Sequence, residues 1–146
     1  MRIIEMREPY TQLFLHLVWA TWDRFPWLVG DTREAVYDCL QYECTQCKTE
    51  LIAIGGVADH VHVLVRVPPT LSVSDLVKQL KGSSSHFVTH RLGVTGFKWQ
   101  GAYGAFTVDK IGAERVKSYI LNQEAHHNDN TFWPDFELHL QAKQKE

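Results

Sequence analysis

Two strand-like runs with almost nothing between them constrain the fold more than any other feature. Residues 50–57 (ELIAIGGV) and 61–67 (VHVLVRV) are rich in β-branched and aliphatic side chains, and three residues separate them. A connection this short cannot hold a crossover helix, so the two strands must form an antiparallel hairpin. Pro68 and Pro69 end the second strand, because proline has no amide hydrogen to donate to a neighbouring strand.

The segments around this hairpin predict the order β-α-β-β-α-β-α. Apolar periodicity and turn residues divide the chain at each boundary. Asp31 and Glu34 resemble a capping box at the start of the first helix, and Ser72 begins the second. This order predicts an α+β fold, a ferredoxin-like or RRM-like antiparallel sheet (β-α-β-β-α-β) with an added C-terminal helix. The predicted strands outside the hairpin are 11–21 and 105–108, and the predicted helices are 31–47, 72–91 and 113–127.

Size and composition predict one globular domain. We expect a single domain over residues 1–146 with a core at about 10–136, and no confident element after Phe132. Apolar residues make up 45% of the chain and charged residues 22%, and the formal net charge is −2, which argues against a uniformly basic surface. The apolar runs are too short to cross a bilayer and no signal peptide is recognisable. We therefore expect a cytoplasmic protein with no membrane partner.

Two histidines stand one residue apart in the second strand of the hairpin. Because side chains alternate between the faces of a strand, His60 and His62 share one face while the valines between and beyond them occupy the other. The two backbones are about 7 Å apart, so both imidazoles can converge on one metal ion and leave it an open position. The alternative is an ordinary packed or solvated pair. A histidine-triad hydrolase is disfavoured, since its third histidine would stand where Leu64 does.

A second group of polar residues lies in the last predicted helix. Tyr119 and Gln123 are four residues apart, so they share a helical face, and His127 continues the row. A tyrosine phenolate can attack phosphorus, but its ordinary pKa of about 10 requires assistance from a nearby cation. The amide oxygen of Gln123 is a hard ligand suited to Mg²⁺ or Mn²⁺. Alternatively, Tyr119 is an amphipathic residue at the core edge and Gln123 a solvated neighbour.

Five segments together resemble the small single-tyrosine HUH (His-hydrophobe-His) transposases of bacterial and archaeal insertion sequences. The segments are HLVWAT, DHVHVLV, LVKQLKGSSSHFV, KWQGAYGAFTV and YILNQEAHH, and they occur in the family's order over about residues 10–136. The related REP-associated tyrosine transposases share these motifs. Each motif is weak by itself, whereas their order and spacing together are specific.

This resemblance implies a transposase that cuts and rejoins single-stranded DNA at hairpin-marked element ends through a 5′-phosphotyrosine intermediate. By resemblance, Tyr119 is the nucleophile, and His60, His62 and Gln123 are the ligands of a divalent metal, Mg²⁺ or Mn²⁺. No nucleotide cofactor is needed. The resemblance also implies a homodimer in which the active sites are shared between subunits.

Other polar residues are weaker candidates for this function. Asp59 is a candidate either to orient a histidine ligand or simply to cap the turn. His126 and His127 are candidates for spare ligands or for helix C-terminal charges favoured by the dipole, and His127 is also a candidate outer partner of the site. Trp99, Tyr103 and Phe106 are candidates for base stacking or for the core. Three alternatives remain open: a domesticated REP-type hairpin protein, a non-catalytic nucleic-acid-binding module, and a metal-dependent hydrolase of small nucleotides. The candidate DNA contacts are Lys78, Lys81, Arg91 and Lys98.

Overall fold

A four-stranded antiparallel sheet forms the centre of the molecule. The structure, a computed structural model, describes residues 9–137 and 140, so the expected domain range of 1–146 extends beyond the described residues. The strands are β1 (Leu13–Ala20), β2 (Glu50–Val57), β3 (His60–Val67) and β4 (Gly104–Val108). The helices are α1 (Gly30–Gln46), α2 (Val73–His90), α3 (Lys110–Leu121), α4 (Gln123–Asn128) and α5 (Pro134–Glu137).

The strand order is β2-β3-β1-β4, and every neighbouring pair is antiparallel. The hairpin prediction is confirmed, since β2 and β3 pair over most of their length and are joined by Ala58 and Asp59. β1 lies in the middle of the sheet beside β3, with Val18 opposite His62. The predicted α+β ferredoxin-like order is therefore confirmed. Among the described residues, no helix is long and apolar enough to cross a membrane.

The two faces of the sheet are covered by different helices. The β3 valines pack with apolar side chains of α1 and α2 to form the main core, which includes Leu40 and Leu80. On the opposite face, Leu64 of β3 packs against Val116 and Ile120 of α3. The face that carries His60 and His62 is thus covered by the C-terminal helices, as expected for a helix added to this sheet.

Two local predictions are wrong. The capping box does not form, because α1 begins at Gly30 after Val29, and neither Asp31 nor Glu34 precedes the helix as a cap. The helix predicted over residues 113–127 is interrupted: α3 ends at Leu121, Asn122 leaves the helical conformation, and α4 begins at Gln123. By contrast, Ser72 caps α2 as predicted, its hydroxyl accepting the amide hydrogen of Asp75 at 3.3 Å.

Close approach of α3 to β2 depends on Gly55. A Cβ built at this position would lie 2.2 Å from the carbonyl oxygen of Ile120, where no real side chain fits. Gly55 is also the residue directly opposite His62 in the β2–β3 pair. The missing side chain therefore allows the helix that carries Tyr119 to approach the strand pair that carries the histidines.

Candidate active site

Both histidines are completely buried beneath the C-terminal helices. His60 and His62 have no solvent exposure, and their ring centroids are 5.1 Å apart. The face that the sequence indicates as available to a metal ion is thus enclosed by other parts of the chain. Buried imidazoles require polar partners, and here the partners come from five segments: β1, the turn after it, the β2–β3 loop, α4 and α5.

The carboxylate of Asp59 holds His60 in position. Asp59 Oδ1 accepts from His60 Nδ1 at 2.8 Å and from the guanidinium of Arg24 at 3.1 Å. Burial would raise the pKa of Asp59, but these two hydrogen bonds outweigh it and lower that pKa to about 2. With Nδ1 directed to Asp59, His60 points Nε2 into the site, which is the arrangement of a metal ligand supported by an outer carboxylate. The structure therefore places Asp59 where it can orient His60.

His62 is held by another histidine. Nε2 of His16, a fully buried residue of β1, lies 2.8 Å from His62 Nδ1, and the two rings stack with centroids 5.0 Å apart. His62 Nε2 then faces the site, where it is buried and makes no hydrogen bond to any described residue. Burial lowers the pKa of His62 to about 4, so the ring is neutral at physiological pH, as a metal ligand must be.

Tyr119 lies beside this pair but is only 2% exposed. Its ring centroid is 5.7 Å from that of His62 in the same chain, and 4.3 Å from that of Trp133, on which it stacks. The Tyr119 hydroxyl donates to Glu137 Oε2 and accepts the amide hydrogen of Trp133 at 2.8 Å. The segment that follows α4 thus covers the hydroxyl, which a DNA phosphate cannot reach in this conformation.

Glu137 is the functional candidate that sequence reasoning missed. Its Oε1 lies 2.8 Å from His60 Nε2, 3.4 Å from His62 Nε2 and 2.7 Å from His127 Nε2. Burial would raise the pKa of Glu137, but the hydrogen bond with His60 and the nearby imidazole of His62 outweigh it and lower that pKa to about 2. Glu137 comes from a tail with no hydrophobic periodicity, so the sequence contained no signal for its position.

The row of Tyr119, Gln123 and His127 is held together despite the break in the helix. Gln123 is buried, and its Oε1 lies 3.2 Å from His60 Nε2. His127 is half-buried, with its ring centroid 4.9 Å from that of His60. Burial, followed by the nearby charge of His60, lowers the pKa of His127 to about 4. The structure therefore brings all the predicted catalytic and ligand residues into one cluster.

The donor set fits a divalent cation. Ligand atoms of His60, His62 and Glu137 lie within 4.8 Å of one another, and the amide oxygen of Gln123 lies 3.2 Å from His60 Nε2. His62 Nε2 is a buried nitrogen that lacks a hydrogen bond among the described residues, as expected where a ligand is to be received. Imidazole nitrogens combined with carboxylate and amide oxygens suit a borderline or hard divalent ion.

The four candidate DNA contacts differ in position and accessibility. Lys78 and Arg91 are exposed and line a cavity of about 1110 Å³ between α1 and α2, on the other side of the sheet from the histidines. Lys81 is half-buried and donates to the carbonyl oxygens of Gln100 and Ala102, so its ammonium already has partners. Lys98 is exposed, with Nζ 3.9 Å from the centre of the Trp22 ring.

Comparison with known proteins shows the family. Residues 9–123 match the family model described as transposase IS200-like. The ISDra2 transposase TnpA of Deinococcus radiodurans is 32% identical over 118 residues, which cover 77% of this chain and 84% of that protein. The transposase for insertion sequence element IS200 of Salmonella typhimurium is also 32% identical, over 114 residues covering 74% of each chain.

Solved structures are similar in fold. A crystal structure of a candidate transposase from Deinococcus radiodurans R1 superposes with a TM-score of 0.64 at 31% identity, covering 83% of this chain and 98% of that one. A REP-associated tyrosine transposase bound to a REP hairpin superposes with a TM-score of 0.62 at 15% identity, covering 90% and 81% of the two chains, a likeness in fold alone. With a matched family model over most of its length and transposases among its relatives, this chain belongs to the IS200-like transposase family of DNA-processing enzymes.

Proposed function

We propose that this transposase cuts and rejoins single-stranded DNA at hairpin-marked ends through a covalent link to Tyr119, with the help of a divalent metal ion. The observation that carries the proposal is the position of Tyr119, whose ring lies 5.7 Å from that of His62 in the same chain. A candidate nucleophile thus stands beside a cluster of metal-ligand atoms. Neither group alone would distinguish phosphoryl transfer from ordinary packing.

The chemical step transfers a phosphodiester from deoxyribose to tyrosine. The phenolic oxygen of Tyr119 attacks the scissile phosphorus, the bond from phosphorus to the 3′ oxygen breaks, and the phenolic proton ends on the released 3′-OH. The product is a 5′-phosphotyrosine with the bond energy conserved, so no nucleotide cofactor is required. Rejoining is the reverse attack by a 3′-OH on the same phosphorus.

His60, His62 and an oxygen from Gln123 or Glu137 would hold the ion, which we propose is Mg²⁺ or Mn²⁺. When bound, it would neutralise the nonbridging phosphate oxygens and align the attack. Asp59 and His16 fix the orientation of the two imidazoles through their Nδ1 atoms. Both Nε2 atoms therefore stay directed into the site without rearrangement.

In this closed conformation Glu137 holds the Tyr119 hydroxyl in place, and it is not suited to remove the phenolic proton. With a pKa held at about 2, the carboxylate is a weak base at neutral pH. Because Glu137 and Trp133 occupy both hydrogen-bonding directions of the hydroxyl, the segment 131–137 has to withdraw before DNA enters. The structure thus corresponds to a closed state of the proposed enzyme.

Hairpin recognition is supported by a similar fold. The REP-associated tyrosine transposase of similar fold was solved bound to a REP hairpin. In this chain the exposed cations Lys78 and Arg91 line the α1–α2 cavity and remain candidate phosphate contacts. Asp38, Glu43 and Asp75 line the same cavity, so a duplex there would meet a surface of mixed charge. Lys81 is a poorer candidate, because two backbone carbonyls already bind it.

We also propose that the whole chain, residues 1–146 with a core at about 10–136, acts as one domain in a homodimer. In this structure α3 and β3 of the same chain supply Tyr119 and the histidines. Mixing a His60→Ala/His62→Ala protein with a Tyr119→Phe protein tests whether subunits share sites. Activity in the mixture would show sharing, whereas two inactive partners that stay inactive would show sites completed within one subunit.

The decisive experiment looks for the covalent product. A labelled single strand bearing the palindrome that flanks the gene is incubated with protein and Mg²⁺ or Mn²⁺, and adducts are resolved under denaturing conditions. We expect a 5′-phosphate adduct that disappears with Tyr119→Phe and remains with Tyr42→Phe, a change at an exposed tyrosine of α1. An adduct that persists in Tyr119→Phe, or its absence from wild type on both flanking strands, refutes the proposal.

A second candidate is a protein that binds hairpins without cutting them. One observation favours it: Tyr119 is 2% exposed and fully hydrogen-bonded. In that case the hairpin strand would bind with equal affinity to wild type and to Tyr119→Phe, and neither would form an adduct with either metal.

A further inference from the structure

The turn that follows β1 has an unusual backbone. Asp23 and Arg24 both adopt left-handed conformations, with φ of 55° and 54°, although neither is glycine. Consecutive left-handed residues cost free energy and persist only where surrounding contacts enforce them. Here the Trp22 amide donates to the Lys98 carbonyl at 2.8 Å, and the Thr21 hydroxyl donates to the Phe25 carbonyl at 2.7 Å.

This conformation turns Arg24 inward to the candidate active site. Its guanidinium lies 3.1 Å from Asp59 Oδ1 and 3.3 Å from His60 Nδ1, and it donates to the carbonyl oxygen of Leu140 at 3.3 Å. Arg24 is thus the residue through which this short turn contacts the site. The strained backbone thus ties the surface of the turn to the site.

The outer side of the turn is aromatic. Phe25 is 53% exposed, and its ring packs beside Trp27 with centroids 4.7 Å apart. Trp22 is half-buried, and Lys98 Nζ lies 3.9 Å from its ring centre. Trp27 is anchored by Phe97 of the main core, so it supports Phe25 from behind. We name the outer surface formed by Trp22 and Phe25 the aromatic platform.

We propose that the aromatic platform stacks unpaired bases of the DNA strand next to the scissile phosphate. This proposal rests on the proposed function, because it assumes a single-stranded DNA substrate. An exposed phenylalanine beside a tryptophan and a cation is the combination with which proteins bind single strands without reading their sequence. The exposed carboxylate of Asp23 would repel phosphates at the tip of the turn, which favours contact with bases over contact with the backbone.

The position of the platform argues for the strand adjoining the cut rather than for the hairpin. Arg24 connects the platform to His60, whereas Lys78 and Arg91 lie on the other side of the sheet. Of the sequence-based candidates for stacking, Trp99 is 6% exposed and its indole donates to Ser84, whereas Tyr103 and Phe106 are half-buried and pack against core clusters. Bases flanking the scissile phosphate are therefore the proposed occupants of the aromatic platform.

The experiment compares three strands that carry the same hairpin. One has no flank, one has an oligothymidylate flank of about six nucleotides, and one has an abasic flank of equal length. Binding is measured by fluorescence anisotropy with the full chain carrying Tyr119→Phe, so that no cutting occurs. We expect the thymidylate flank to improve affinity by about 5- to 160-fold over the abasic flank, which is the range for one stacked base.

In Phe25→Ala this gain should be largely lost, while affinity for the unflanked hairpin stays unchanged. Phe25→Trp should keep the gain, and so should Tyr42→Ala, a matched control at a tyrosine that is 61% exposed on α1. Circular dichroism checks that each variant is folded. Phe25→Ser, which retains exposure without a ring, replaces Phe25→Ala if the latter aggregates.

Several results would overturn the platform. These are equal gains in affinity from the abasic and thymidylate flanks, an undiminished gain from the thymidylate flank in Phe25→Ala, or a loss of that gain in Tyr42→Ala equal to the loss in Phe25→Ala. If the platform instead joins two copies of the chain, Phe25→Ala will change the sedimentation of the free protein and leave the base-dependent gain in affinity unchanged. A covalent adduct with wild type combined with no effect of Phe25 would reject the platform alone, whereas a Phe25-dependent gain without any adduct would reject cutting alone.

Discussion

Substitution of Gly55 by alanine tests how the helix that carries Tyr119 is positioned. Gly55 lies in β2 directly opposite His62, and its missing side chain faces the backbone of α3. An added Cβ would lie 2.2 Å from the Ile120 carbonyl oxygen, 3.0 Å from its carbonyl carbon and 3.2 Å from its Cγ2. Two of these three atoms belong to a helix backbone, which cannot yield by a side-chain rotation.

The size of the effect follows from the size of the overlap. Ordinary contact begins at 3.4 Å, so α3 must retreat by about 1.2 Å from β2. Overpacking of this kind costs about 1–3 kcal/mol of unfolding free energy. Tyr119 precedes Ile120 and would move with it relative to His62, and a displacement of about 1 Å at a reacting group can lower a rate on the order of 100-fold.

Two measurements check this prediction. Denaturant unfolding gives the loss of stability, and the initial rate of covalent adduct formation gives the displacement of the nucleophile. Gly82→Ala is the matched control, because a Cβ there meets nothing within 4 Å and Gly82 lies inside α2. It should raise the unfolding free energy by roughly 0.5–1 kcal/mol and leave the rate unchanged.

The reasoning fails if Gly55→Ala unfolds at the same denaturant concentration as wild type. It fails also if the variant is destabilised but forms the adduct at the wild-type rate, because the helix would then have moved without carrying Tyr119 away from the site. A rate that falls equally in Gly82→Ala would point to a general effect of the substitutions on folding.

Two further predictions concern the ligand histidines and the carboxylates beside them. His16→Phe should lower Mn²⁺ affinity by about 10- to 100-fold in titration calorimetry, because the Nδ1 atom of His62 loses its partner. Tyr42→Phe is the control, and an Mn²⁺ affinity that is equal in the two variants would exclude this role of His16. Asp59 and Glu137 have folded pKa values of about 2, below their ordinary values, so they bind fewer protons folded than unfolded. The stability they provide is present above their ordinary pKa values and should be lost as the pH falls through about 4 toward 2. Glu137→Gln should therefore reduce the pH dependence of the unfolding free energy. An unfolding free energy with the same pH dependence in Glu137→Gln as in wild type would contradict this prediction.

Local sequence patterns predicted most of the fold. Alternation of apolar residues gave β2 its observed bounds and placed β3 within one residue of its start. The capping-box prediction at Asp31 was wrong because a pair of residues suited to capping, here Asp31 and Glu34, does not by itself decide where a helix begins. Gly30, with φ of 53°, already leads the chain into α1. The break at Asn122 was missed because no glycine or proline marks it in the sequence, and the row of Tyr119, Gln123 and His127 keeps a helical spacing across it.

The missing parts of the site depend on contacts distant in sequence. His16 reaches His62 because β1 and β3 pair in a register that aligns Val18 with His62, and no local pattern fixes that register. Glu137 reaches the histidines from a four-residue helix that has no apolar stripe of its own. The sequence therefore indicated the site residues that belong to a recognisable spacing. It could not indicate the residues that reach the site only through tertiary contacts.

A single carboxylate connects the candidate ligand cluster to the proposed nucleophile, Tyr119. Glu137 Oε1 lies at the point where His60 and His62 direct their Nε2 atoms, while Oε2 accepts the hydrogen bond from the Tyr119 hydroxyl. The histidines cannot give their lone pairs to a cation while Oε1 occupies that point alone, so Glu137 must either become a ligand or move away. Either change alters the bond to Tyr119, because both oxygens belong to one rigid group. Closure over the tyrosine and occupation of the ligand cluster are therefore linked through this side chain.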